Sequence, residues 1–297
     1  MKKHALDFEG KTILITGSTR GIGFAYAQYF AALGANLIIN GMNEKNLEEA
    51  LEKLQSSDGK ICGIACPVEQ GENIVQYALN EFRDIDVVIN NAGIIQDARF
   101  QNLSLEAWDT IYKNHLEAAF RISRAIWPHF ASKGGGNILF TASSAGIFGH
   151  FGQSNYSAAK AGIIGLAKTL AIEGKPLNIK VNTICPGAYT DMTSSLMAES
   201  LQQQLHPDKV SPVAAWLCHD ECPDSGEVVE TAAGWIAKVR HEYSEVGIYG
   251  NFSIETIKEI WPEVSAFKNK LTYPHKVSDS SKSIIEHANK SLEKPTN

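Results

Sequence analysis

Tyr156 and Lys160 stand four positions apart in Gln153-Ser154-Asn155-Tyr156-Ser157-Ala158-Ala159-Lys160, thirteen residues after Ser143. Four apart on a helix is one face, and the small residues Ser157-Ala158-Ala159 and Ala161-Gly162 favour a helix that something flat can approach. A free phenol ionises near pH 10, too high for proton transfer at neutrality. An ammonium a few ångströms away favours the phenolate, and a hydroxyl beside the phenol can bond the same substrate oxygen. Such a set suits proton transfer at an oxygen while a hydride moves at the attached carbon. The spacing by itself also fits a solvated helix face, so its meaning depends on the elements that hold it.

Upstream, Lys11-Thr12-Ile13-Leu14-Ile15-Thr16 reads as a buried strand that runs into Gly17-Ser18-Thr19-Arg20-Gly21-Ile22-Gly23 and a helix over Phe24 to Leu33. Strand, glycine turn and helix offer backbone N–H groups and a helix N-terminus to a pyrophosphate. The spacing is G-x-x-x-G-x-G, so the general dinucleotide fingerprint is only partly met, and a turn needed for tight packing is the alternative. A later strand, Asp86-Val87-Val88-Ile89, ends in Asn90-Asn91-Ala92-Gly93.

The ordered set Thr16-Gly17-x-x-x-Gly21-x-Gly23, Asn90-Asn91-Ala92-Gly93, Ser143, Tyr156-x-x-x-Lys160 and Pro186-Gly187 closely resembles the short-chain dehydrogenase/reductase family, from about Leu6 to about Gly234. Three segments are similar to one branch, the (3R)-hydroxyacyl-CoA dehydrogenase part of peroxisomal multifunctional enzymes. They are Asn137 to Gln153, Pro207 to Cys222 and Ala232 to Lys238. His115 agrees, since that branch has His where most of the family has a relay Asn.

The resemblance implies that Tyr156 is the general acid/base and that Lys160 lowers its pKa and holds the nicotinamide ribose. Ser143 polarises the substrate oxygen, with the adjacent Ser144 as the less favoured candidate. His115 bridges Lys160 to solvent or holds the backbone; a satisfied core histidine is the alternative. It further implies that Gly17, Arg20, Ile22 and Gly23 line the pyrophosphate and adenosine, Asn91, Ala92 and Gly93 the adenine-ribose side, and Pro186 and Gly187 the carboxamide. Val68 should meet adenine, although Pro67 replaces the acid or amide that the family has before it. The end of the second strand, Leu37-Ile38-Ile39-Asn40-Gly41, lacks the acid that would bind a ribose 2′-OH. With Arg20 in the turn, the expectation is NADP, with NAD as the alternative. The implied substrate is a (3R)-hydroxyacyl or 3-oxoacyl thioester, on CoA or a carrier protein, with a steroid or bulky ketone as the rival. A cofactor-binding regulator without turnover is the reading from another class. A homodimer or homotetramer is implied too.

Composition narrows the classes. The chain has 297 residues, 44% of them hydrophobic, and a net charge of −6 with no basic block, which argues against a nucleic-acid track. The five cysteines fit a reducing compartment, and neither Cys62-x3-Cys66 nor Cys218-His219-x2-Cys222 has zinc spacing, so no metal is expected. No apolar run is long enough to span a membrane. The N-terminal Met1 to Asp7 has no apolar h-region and the final residues are not a peroxisomal tripeptide, so cytoplasm is the expected location.

Apolar runs at Lys11–Thr16, Asn36–Asn40, Lys60–Ala65, Asp86–Asn90, Asn137–Ala142 and Ile179–Ile184 alternate with helical patterns. This predicts an α/β, doubly wound, Rossmann-like parallel sheet with helices on both faces, seven strands counting a short one at Val228–Thr231. Asn43 is a predicted N-cap, Gly174 and Pro176 end the Tyr156 helix, and Trp127-Pro128 should kink or end the helix that carries His115. The expected organisation is one catalytic domain over 1–240, with a substrate-covering segment at 188–206, and a C-terminal extension over 241–297 whose last ~20 residues are loosely ordered.

Overall fold

The computed structural model describes residues 6–55, 59–188, 205–243 and 253–265. In it the chain forms two compact units, residues 1–238 and 239–297. In the first, β1 (Thr12–Ile15), β2 (Asn36–Gly41), β3 (Ile61–Ala65), β4 (Val87–Asn90), β5 (Gly136–Thr141), β6 (Ile179–Gly187), β7 (Val228–Ala232) and β8 (Trp235–Val239) form one sheet in the order 3-2-1-4-5-6-7-8. Every pairing from β3 through β7 is parallel. The strands read as unbroken apolar runs because both faces are covered, and alternate residues serve opposite layers. Ile13, Ile15, Leu37, Ile39, Val87, Ile89, Leu139, Ile184 and Val229 share one cluster with Tyr26 and Phe30 of α1 (Gly21–Ala32). The same cluster takes in Leu47 of α2 (Glu44–Leu54) and Leu217 of α8 (Ser211–Cys218).

The other helices of this unit are α3 (Gly71–Phe82), α4 (Leu105–Tyr112), α5 (Ala118–Lys133), α6 (Ser144–Phe148) and α7 (Ser154–Gly174). Of these, α3, α5 and α7 pack on the opposite face of the sheet. The predicted Asn43 cap holds, its side chain accepting from Asn46 N at 3.0 Å, and α7 ends at Gly174 before a tight turn containing Pro176. In the second unit the described helix is α9 (Ile254–Val264), capped by Ser253, which accepts from Thr256 N at 3.2 Å.

Two expectations need correction. The sheet has eight strands, because β7 turns back through Ala233 (φ 51°) and Gly234 (φ 86°). A two-residue connection permits only an antiparallel neighbour, and the Thr231 hydroxyl ties it by donating to Trp235 O at 2.8 Å. Pro128 does not end its helix, which continues to Lys133. Pro128 and Arg124, whose carbonyl loses its helical partner, are both exposed, so water can satisfy that group. The segment from 188 to 206 lies almost wholly outside the described residues.

β1 pairs with both β2 and β4, so the crossovers diverge there. The loops after β1, β4, β5 and β6 leave the same edge of the sheet side by side, at the switch point where ligands of such folds bind.

Candidate active site

The turn after β1 is built for close backbone approach. Gly17 has φ 59° and a Cβ there would lie 2.6 Å from Ala92 Cα, while a Cβ on Gly23 would strike Gly17 O. The loop after β4 is stitched to this turn. Thr16 Oγ1 accepts from Asn91 N (3.0 Å) and Ala92 N (3.1 Å), and Asn91 Nδ2 donates to Thr16 O and Gly17 O, both at 3.1 Å. From β2, buried Asn40 donates to Ile64 O (3.2 Å) and Cys66 O (2.9 Å), and its N–H donates to Ser18 Oγ (2.9 Å). The first turn of α1 has no acidic residue and its N-cap, exposed Arg20, makes no side-chain cap bond. Its free N–H groups and the helix dipole therefore face outward and fit a pyrophosphate. The same edge carries half-buried Ile22, Asn91, Ala92, Gly93, Pro186 and Gly187, and buried Val68.

The second half of the site gathers on β5, α7 and the π-helical turn Lys113–Glu117 that joins α4 to α5. Such turns insert a residue into a helix and re-aim its side chains; this one carries His115. Lys160 is 3% exposed, and its Nζ donates to Thr141 O at 2.6 Å and lies 5.5 Å from the centre of the Tyr156 ring. The Tyr156 hydroxyl lies close enough to Ser143 for the serine to favour its phenolate. Ser143 Oγ also caps α6, accepting from Ala145 N at 3.2 Å, whereas Ser144 Oγ donates to Glu230 Oε1 at 2.7 Å. Ser144 is thus committed to a carboxylate, and Ser143 is the hydroxyl beside the phenol. The His115 ring meets Tyr156 edge to face at 5.2 Å, and its Nε2 lies 2.8 Å from Ile94 O and 3.1 Å from Ile94 N.

The electrostatics differ from expectation. Burial lowers the Lys160 pKa to about 8. Burial raises that of Tyr156, against the lowering effect of the Ser143 hydroxyl. The sequence has Lys160 drawing the phenol downward; in the folded chain burial is the largest cause of the Tyr156 shift, and Lys160 is not among its causes. Burial, helped by the Lys160 charge, lowers His115 to about 3, so its ring is neutral.

Several participants escaped the sequence reading. Buried Cys185, just before Pro186, lies near Ser143, Lys160 and Glu230, and burial pushes its thiol up to about 12. Buried Asn114 donates to Glu69 Oε1 at 3.2 Å. An amide among apolar helix residues was the available signal for Asn114; a backbone anchor such as Thr141 O has none.

Two loops form the mouth and are zipped together. Ala98 N donates to Gly152 O (2.9 Å), Gln153 Nε2 to Asp97 Oδ2 (2.8 Å) and Asn155 Nδ2 to Gln96 O (3.1 Å). Exposed Phe100, Phe148 and Phe151 edge this region, with the Arg99 guanidinium 5.5 Å from the Phe151 ring centre.

Comparison with known proteins follows the same lines. The model of the family described as short chain dehydrogenase matches residues 11–203. The peroxisomal multifunctional enzyme type 2 of Mus musculus is 40% identical over 294 residues, covering 95% of this chain and 40% of that protein. A 3-oxoacyl-acyl-carrier-protein reductase of Thermotoga maritima is 33% identical over 242 residues, 77% of this chain and 98% of its own length. The structure of full-length peroxisomal multifunctional enzyme type 2 from Drosophila melanogaster superposes with a TM-score of 0.84 at 29% identity, over 96% of this chain and 50% of that one. The chain therefore spans about half or less of these multifunctional relatives.

Proposed function

Because the chain belongs to the short-chain dehydrogenase family and is an oxidoreductase fold for NAD(P), we propose that it interconverts a hydroxyl and a ketone at carbon 3 of an acyl thioester, on acyl-CoA. The observation that carries this is the joined set of Ser143, Tyr156 and Lys160 at the strand-end crevice. It also speaks against a regulator without turnover. The acyl-thioester class is supported by the similarity to a 3-oxoacyl-acyl-carrier-protein reductase. The exposed aromatic rim suits a flexible apolar chain.

A nicotinamide dinucleotide, when bound, supplies or accepts the hydride. Gly17, Arg20, Ile22, Gly23, Val68, Asn91, Ala92, Gly93, Pro186 and Gly187 would hold it. The Tyr156 hydroxyl moves the proton at the substrate oxygen, and Ser143 donates to the same oxygen, stabilising the charge that develops there. Buried Lys160 is a donor poised beside Tyr156, and neutral His115 fixes the loop at Ile94. NADP is favoured over NAD by exposed Arg20, which has no carboxylate within ion-pair distance among the described residues, and by Gly41 standing where an acid would repel a 2′-phosphate.

The cysteines are free thiols, which supports a reducing compartment; cytoplasm is our reading, with peroxisome, from the relatives' names, as the alternative. Exposed Leu105, Trp108 and Tyr112 on one face of α4 support a homodimer or homotetramer. Absorbance at the nicotinamide band, with 3-oxoacyl-CoA, carrier-protein-bound and steroid substrates, tests the function. Turnover of the CoA thioesters well above the others is expected; turnover of steroid ketones alone would overturn the reading.

A further inference from the structure

Beneath the catalytic set, four buried side-chain atoms have no hydrogen-bond partner within the chain: Asn90 Oδ1, Asn114 Oδ1, His115 Nδ1 and Thr141 Oγ1. All four residues line one cavity, with about 10 Å³ of room for a water's centre, roughly what one water molecule needs. Buried polar groups rarely go unsatisfied, and each is costly when it does. Four in one small cavity call for a single shared partner.

The hydrogen-bonding roles can be worked out. Asn114 gives its amide N–H to Glu69 Oε1, a carboxylate that only accepts, so its oxygen faces the cavity. His115 is neutral, and its Nε2 faces both Ile94 O at 2.8 Å and the Ile94 N–H at 3.1 Å, which call for opposite tautomers; the shorter contact is taken as the bond, so that Nε2 carries the proton. Nδ1 is then a bare acceptor. Two acceptors require a molecule that donates twice. Thr141 can donate its hydroxyl in return. Asn90 can donate as well if its amide is turned over and the Ser123 hydroxyl, 3.2 Å away, donates to its oxygen. Two donors and two acceptors match the valence of water.

We propose that one buried water occupies this cavity, donating to Asn114 Oδ1 and His115 Nδ1 and accepting from Thr141 and Asn90. Thr141 also carries the carbonyl on which Lys160 rests, and His115 packs against Tyr156. The water joins these two supports, making Thr141, Asn114 and Asn90 positioning residues. That positioning role rests on the catalytic reading above; the water itself does not.

The test uses the full chain without substrate. Nitrogen-15 spectra of histidine-labelled protein should show His115 as the Nε2–H tautomer with a hydrogen-bonded Nδ1. Thr141→Val, which keeps the carbonyl that holds Lys160, should move the Nδ1 resonance toward that of an unbonded nitrogen. It should also lower kcat about tenfold, the loss of one good hydrogen bond, while cofactor Kd changes less than twofold. A high-resolution crystal structure of the wild type should show density between the four atoms with and without cofactor. An Nδ1–H tautomer, an unmoved resonance, or density absent in either form would overturn the proposal. Should Thr141→Val fail to fold, the wild-type tautomer and density decide. A moved resonance with unchanged kcat would retain the water and remove its positioning role.

Discussion

Lys160 is a buried cation with no carboxylate in ion-pair range among the described residues, and its titration should be visible in the stability of the chain. The fall of its pKa from 10.5 to about 8, at about 1.36 kcal/mol per pH unit, amounts to about 3 kcal/mol. Between those values the unfolded chain binds more protons than the folded one. Stability therefore rises with pH across that window; the penalty is full below about pH 8 and gone above about 10.5. Lys160→Met removes the titration and keeps an unbranched side chain. Losing the bond from Nζ to Thr141 O adds an offset that does not depend on pH, and every other titrating group cancels in the comparison to first order. From about pH 7 to about pH 9.5 the wild type should gain about 2 kcal/mol on the variant. For a domain of this size that is roughly 4–8 °C in Tm. Circular-dichroism melts of both proteins at several pH values, without ligand, provide the measurement. Melting curves for the pair that stay parallel across this range would refute a depressed Lys160.

Tyr156→Phe should lower turnover by about 10²–10⁴-fold, the usual contribution of a positioned acid/base, with dinucleotide binding kept; near-normal turnover would remove Tyr156 from the chemistry. Arg20→Ala should weaken NADP by about tenfold more than NAD in equilibrium titration, as expected for one charge-assisted contact, and equal weakening would contradict the assigned preference. The converse change needs two substitutions, because a Cβ at Gly41 would lie 2.6 Å from Thr19 Cγ2; Gly41→Asp with Thr19→Ala should shift preference to NAD, and an unchanged ratio would argue against a ribose 2′ site there. Gly93→Ala would drive its methyl into the His115 ring, which Ile94 holds in place, so a loss of about 1–3 kcal/mol in denaturant melts is expected; unaltered stability would mean the ring is free to move.

The sheet was legible because parallel strands buried on both faces appear as apolar runs, and β1 to β7 lie within a residue or a few of the runs identified. The eighth strand was not, since Ala233-Gly234 lacks the turn residues that announce a hairpin. Nor was the π-helical turn at His115, because one extra residue in a helix leaves the apolar spacing nearly intact. Pro128 misled because a proline's effect depends on whether the carbonyl it frees can reach water. Motif spacing named Ser143, Tyr156 and Lys160, which the fold brings together from the end of β5 and from α7, and left Ser144 open until its bond to Glu230 was seen. It could not weigh desolvation against charge, and burial raises the Tyr156 pKa in the folded chain. Anchors made by backbone carbonyls, at Thr141 and Ile94, are invisible in side-chain identity.

The zipped mouth divides the site into parts that can change at different rates. The floor is held by bonds in which one substitution disturbs several neighbours, as at Thr16, Asn40 and Asn91. Phe100, Phe148 and Phe151 are 73–80% exposed, and the zipper beneath them runs largely through backbone groups and the side chains of Asp97, Gln153 and Asn155. Their identities can therefore drift without cost to the reaction machinery. For evolution this is a route to new substrates on an unchanged catalyst; for engineering, it makes a library randomised at positions 99, 100, 148 and 151 the place to seek altered substrate preference in proteins that still fold.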